Sequence, residues 1–260
     1  MKLGVIMKIE KYKKLKDNRY EVIIDDLKVK LYDDVIVKFE LLRKKELTYE
    51  EFEEITEYND HLESYYKSLR YITRKLRTEK EIWKYLEKDY SKEVIHDTIE
   101  RLKQDGYLNK DLFLKSYLND QIHFGTNGPN KVFDDLIQLG FKEEEFKERI
   151  EEIPDDVWKD KIEKIIHRRL NSNKSYGVFK LKEKLIYELG KMGFYKWMIE
   201  EVMEGIEFKE NIDLVQKEYQ KIYRRLLKKY EGNELDYQVR MKLFQKGFRT
   251  EEIDQIKKEL

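Results

Sequence analysis

Three times in this chain, two apolar residues spaced four apart are followed, four positions after the second, by glycine and phenylalanine. The copies are Val132, Leu136, Gly140–Phe141; Leu185, Leu189, Gly193–Phe194; and Val239, Leu243, Gly247–Phe248. Residues four apart lie on one side of a helix, and a glycine one turn later can take the left-handed conformation that ends it. The phenylalanine then folds back as an apolar plug. A further apolar residue falls ten positions beyond the second leucine each time, at Phe146, Ile199 and Ile253, which carries the match into a following helix.

A diverged earlier copy has Ile82 and Leu86, then Asp89–Tyr90 without glycine, and a shorter connection to Val94–Ile95. Thr78 with Glu81 forms a capping box for its middle helix, and Gly106–Tyr107 ends its third. With a leading helix before each middle helix, the expected repeats are 63–106, 107–153, 155–207 and 211–260. A spacing of about 50 residues fits a tandem array in which each unit buries its apolar face partly against its neighbours. The two prolines and eleven glycines in 260 residues leave long helices uninterrupted. Nineteen tyrosines and twelve phenylalanines fall inside the periodic segments, where most serve as core. The expected fold is mainly α, tandem three-helix repeats forming an elongated curved array, behind a small N-terminal segment, 1–62, that contains a β-hairpin.

In that segment residues from about 3 to 32 read as strands. A two-residue turn at Asp25–Asp26 would set Ile24 opposite Leu27, Val22 opposite Val29 and Tyr20 opposite Leu31 on one apolar face, with Glu21 facing Lys30 on the other. A strand near Leu3–Ile9 is expected beside the hairpin, which alone would be marginal. Asp33 is a candidate cap for a short helix reaching Phe39, and Thr48 with Glu51 a capping box for a helix carrying Phe52 and Ile55.

Formal charge balances, 54 basic against 54 acidic residues, so a highly basic nucleic-acid-coating protein is not indicated. The distribution is uneven. Lys67, Arg70, Arg74 and Arg77 form one helical stripe beside Leu69, Ile72 and Leu76; Lys161, Lys164 and Arg168 repeat it beside Ile162, Ile165 and Ile166. Lys221, Arg224, Arg225 and Lys228 repeat it again beside Ile222, Leu226 and Leu227. Acidic residues gather elsewhere, at Glu143–Glu145 and at Glu200, Glu201 and Glu204. Stripes on a common side of a stack would make a local positive field able to meet a phosphate backbone or an acidic protein face. The plain alternative is a set of solvated polar faces.

Reactive constellations are missing from the sequence. There is no cysteine, hence no disulfide or thiolate nucleophile, and His61, His96, His123 and His167 have no metal-ligand spacing. Gly125–Thr126–Asn127–Gly128–Pro129 is short, lacks the lysine and hydroxyl arrangement of a phosphate loop and reads as a turn that starts a helix at Pro129. No apolar run approaches bilayer length and Met1–Glu10 lacks a signal pattern, so the expectation is a cytoplasmic protein with no cofactor, no metal and no enzymatic turnover.

The chain resembles the RecX family of bacterial regulatory proteins. The likeness is carried by Leu69–Arg70–Tyr71–Ile72–Thr73–Arg74–Lys75–Leu76–Arg77–Thr78–Glu79–Lys80–Glu81–Ile82 with Leu86, and by Gly106–Tyr107–Leu108–Asn109–Lys110–Asp111–Leu112–Phe113 with Tyr117. It departs at Lys110, where the family usually has an acidic residue. The repeats and hairpin extend the likeness over nearly the whole chain, in the longer form with an additional C-terminal unit. The resemblance implies a monomeric modulator that binds RecA and its filament on single-stranded DNA, restrains recombinase activity in homologous recombination and DNA repair, and also contacts single- or double-stranded DNA. The alternative reading is a general single-stranded-DNA-binding or structural helical protein without a RecA partner.

Overall fold

An antiparallel sheet begins the chain: β1 (Ile6–Lys14), β2 (Arg19–Ile24) and β3 (Leu27–Tyr32), with β4 (Glu46–Thr48) added on the far side of β1, giving the order β3-β2-β1-β4. The computed structural model describes residues 6–209 and 211–259. Asp25 and Asp26 both take left-handed backbone, φ 42° and 65°, as a tight two-residue hairpin turn requires. The register is the expected one, Ile24 to Leu27, Val22 to Val29, Tyr20 to Leu31 and Glu21 to Lys30. Val22, Ile24 and Leu31 are buried with Ile55 and Leu62 of the following helix. The partner strand reaches further than expected, to Lys14, while Leu3–Val5 lie outside the described residues. The fourth strand, only three residues long, has too little alternation to be read from sequence.

Helix α1 (Asp33–Lys38) corrects the reading of Asp33 as its cap. Tyr32 occupies the cap position, and the Asp33 carboxylate accepts from the adjacent Asp34 N–H at 3.0 Å, within the first turn. Thr48 and Glu51 do form the capping box of α2 (Tyr49–Ile72), with bonds of 3.1 and 2.9 Å. That 24-residue helix runs unbroken through residues 62–63. Its contact with α4 (Lys92–Gln104), which follows α3 (Glu79–Leu86), is made close by small side chains, the Ser64 and Thr98 hydroxyls meeting at 2.6 Å.

The remaining helices are α5 (Lys110–His123), α6 (Pro129–Gln138), α7 (Lys147–Glu151), α8 (Asp155–Ser172), α9 (Val178–Lys191), α10 (Lys196–Gly205), α11 (Ile212–Leu226), α12 (Gly232–Gln245) and α13 (Thr250–Glu259). Residues 1–116 and 117–260 form two compact units. Each glycine–aromatic pair ends its helix as expected. Gly106, Gly140, Gly193 and Gly247 have φ of 79°, 97°, 84° and 89°, and the following N–H of Tyr107, Phe141, Phe194 or Phe248 donates back to Leu102, Leu136, Leu189 or Leu243 at 2.8 to 3.2 Å. Phe141, Phe194 and Phe248 are buried, as are Phe146, Ile199 and Ile253.

In the second unit two helix starts are closed by other helices' ends. Gly128, before Pro129 of α6, donates its N–H to Met192 O at 2.7 Å, and Asn130 N–H donates to Gly193 O at 3.0 Å. Gly177, before α9, likewise donates to Lys246 O at 3.0 Å. The unpaired donors at one helix start thus satisfy the unpaired carbonyls at another helix end, with opposite ends of the two dipoles together. The backbones touch: a Cβ on Gly128 would lie 2.5 Å from Phe194 N, and one on Gly177 would lie 2.3 Å from Gly247 O.

Candidate functional site

In the first unit the expected stripe Lys67, Arg70, Arg74, Arg77 is broken. Helix α2 ends at Ile72, and Thr78 must be extended (φ −90°, ψ 162°) to cap α3 through its box with Glu81, so Arg74 and Arg77 lie in the connection rather than on a helix face. Arg77 is half-buried, donates to Glu81 at 2.9 Å and lies 3.8 Å from the centre of the Tyr71 ring. Lys67 is ion-paired with Asp89. Arg70 and Arg74 are exposed. Leu76, expected on the apolar face, is 36% exposed for the same reason.

In the second unit α8 and α11 bury matching positions: Trp158, Ile162 and Ile165 on one, Val215, Tyr219 and Ile222 on the other, at one constant offset. At the same offset Lys164 matches Lys221 and Arg168 matches Arg225, and all four are exposed. Lys221 reaches Glu218 at 3.5 Å. Arg224 is exposed too, while Lys228 lies beyond the end of α11.

Lys161 corrects the expectation that it joins an exposed stripe. It is 8% exposed, and its ammonium donates to the carbonyls of Gln121 and, at 3.5 Å, Asn127, closing the end of α5 and the loop before α6. Trp158 lies beneath it, the ammonium 4.7 Å from the ring centre. Burial pulls its pKa from 10.5 down to about 8. The matching residue of α11 is a buried carboxylate, Glu218, which holds Lys246 at the end of α12. Spacing alone could not separate Lys161 from its exposed neighbours, because it sits at the border between the apolar and polar faces.

A second cationic zone follows α9, where Lys180, Lys184, Tyr187 and Lys191 share one face. Its spacing of four, three and four is present in the sequence, on the side of α9 opposite the apolar positions Leu185 and Leu189 that define the repeat. Asn109, next to Lys110 where the family likeness departs, accepts from Leu112 N–H through its side-chain oxygen at 2.9 Å at the start of α5. Among the described residues no group of three His, Asp or Glu could hold a metal ion, and no helix is long and apolar enough to cross a membrane.

Residues 65–102, which take in the C-terminal part of α2 with α3 and α4, match the model of the RecX first three-helix domain. The chain is 28% identical over 254 residues to a protein named regulatory protein RecX from Streptococcus agalactiae, covering 95% of this chain and 96% of that one. Proteins of the same name from Staphylococcus epidermidis and Bacillus cytotoxicus are 27% and 26% identical, over 95% and 97% of this chain and 94% and 96% of theirs. A crystal structure of regulatory protein RecX superposes with a TM-score of 0.56 at 20% identity, covering 76% of this chain and 99% of that one, a likeness of fold. With the three-helix module matched at residues 65–102 and relatives alike along nearly their whole length, the chain is similar to the regulatory proteins of the RecX family.

Proposed function

We propose that this protein is a regulator, without catalytic turnover, that binds RecA and its filament on single-stranded DNA and restrains recombinase activity. The name regulatory protein RecX, carried by relatives alike over 95% of this chain, supports the regulatory role. The observation that most favours recognition by contact is the matched set of exposed cations on α8 and α11, Lys164 with Arg168 and Lys221 with Arg225. Charges repeated at one position of a module suit a partner that itself repeats, and a nucleoprotein filament is such a partner. Arg224 extends this proposed surface within the second unit, Arg70 and Arg74 are proposed contacts on the first unit by itself, and Lys161 is left out by its burial. The proposed modules behind it are 63–106, 107–153, 155–207 and 211–260.

The purified protein is expected to lower RecA-dependent ATP hydrolysis and strand exchange at amounts too small to cover the free DNA. No effect over a wide concentration range would reject this function. DNA binding of equal strength with and without RecA, together with no effect on the recombinase, would instead favour a general single-strand-binding protein.

A further inference from the structure

The face of α9 that points away from its core carries a groove that the proposed filament contacts on α8 and α11 do not use. Two adjoining cavities make it, of about 550 and 370 Å³, and both are bordered by Lys184 and Glu188. The larger adds Lys131, Tyr187 and Lys191; the smaller adds Lys174 and Tyr176. Tyr187 is 65% exposed, with the Lys191 ammonium 4.6 Å from its ring centre. Tyr176 has the Lys184 ammonium at 3.8 Å, and the hydrogen bond between them lowers the tyrosine's pKa.

The charges are not self-cancelling. Glu188 is already paired with Arg169, and among the described residues Lys184 and Lys191 have no carboxylate partner. Glu188 stands four residues from Lys184 and three from Lys191, the spacing of a compensating acid, but its carboxylate goes to Arg169, whereas Glu183 does pair with Lys180. Here the two uncompensated ammonium groups lie over aromatic rings instead. Such a groove offers what an unstacked nucleotide needs, a π-surface for the base beside a cation for the phosphate. The stripe from Lys180 to Lys191 is about 16 Å long, which suits several nucleotides in a row.

We propose that the groove along α9 binds single-stranded nucleic acid, with bases against Tyr176 and Tyr187 and phosphates against Lys184 and Lys191. A duplex hides its base faces in its own stack and could use only the lysines. An acidic protein surface would likewise gain nothing from the flat rings. The site needs no recombinase, so its test is independent of the regulatory role.

Binding of fluorescein-labelled (dT)15 to the full chain, followed by anisotropy without any recombinase, reads the proposal directly. Tyr187→Phe should bind as the unaltered protein does, and Tyr187→Leu about tenfold more weakly, because leucine keeps the apolar surface but not the stack. Lys184→Gln with Lys191→Gln should weaken binding and reduce the slope of log affinity against log salt by about 1.4. Absence of binding, or equal affinity in Tyr187→Leu, would overturn the site. So would competition by a DNA duplex, polyphosphate or polyglutamate of equal charge as effective as that of unlabelled (dT)15, since each would reveal charge without base recognition. All variants lie on an exposed face, and circular dichroism separates loss of binding from loss of fold.

Discussion

The two units start their middle helices in opposite ways. In the first, α3 is capped by its own sequence: Thr78 accepts from Glu81 N–H at 3.2 Å while the Glu81 side chain accepts from Thr78 N–H at 2.9 Å. In the second, α6 and α9 have no side-chain cap, and their opening donors are satisfied by the backbone at the ends of α9 and α12. A local cap can be lost without disturbing any other helix. A backbone junction ties two helices together and requires glycine on both sides, since a Cβ on Gly193 would lie 2.3 Å from Lys131 N and one on Gly247 2.4 Å from Lys180 N. Lys161 extends the same contrast, since it too satisfies carbonyls far away in sequence.

The contrast can be broken by substitution. Gly177→Ala or Gly128→Ala should cost about 2–4 kcal/mol in chemical denaturation, because the clash is with backbone that cannot step aside. A cost below about 0.5 kcal/mol would show that the junction yields easily. Lys161 gives a pH signature. Its pKa is lowered on folding, so between pH 8 and 10.5 the unfolded chain holds the proton more firmly, and stability should rise with pH by at most about 1.4 kcal/mol per unit. Below pH 8 its contribution is level, and Lys161→Met should abolish the rise. Thr78→Ala should cost about 1 kcal/mol, a loss confined to α3 by hydrogen exchange. At the small end, Gly190→Ala inside α9, where a Cβ meets nothing within 4 Å, should gain about 0.5 kcal/mol or more. A destabilised Gly190→Ala would mean that glycines of the second unit are constrained beyond the junctions.

This division also marks what the sequence can disclose. The hairpin register, both threonine capping boxes and the glycine–aromatic helix ends were legible because each depends on residues within one or two turns of one another. Gly128 was recognisable as part of a turn before Pro129, but its partner Gly193 lies 65 residues on and no local pattern points to it. The break in the first basic stripe was legible too, since a capping box at Thr78 and Glu81 already requires the preceding helix to end before Arg77. Spacing from Lys67 to Arg77 is helical throughout, and only the demand of Thr78 for extended backbone ends the helix early. Of the candidate surface, the exposed pairs on α8 and α11 could be read from periodicity, whereas the inward turn of Lys161 depends on carbonyls supplied by the end of α5 and the loop before α6.

The central claim, recognition through cations on the leading helices, is tested most directly by the variant carrying Arg168→Ala, Arg224→Ala and Arg225→Ala, titrated against preformed RecA filaments on single-stranded DNA. These side chains are exposed, so helicity and unfolding midpoint should stay nearly unchanged. Filament binding should weaken by an order of magnitude or more and depend less steeply on salt. Binding as tight as that of the unaltered protein, with the same salt dependence, would contradict the claim.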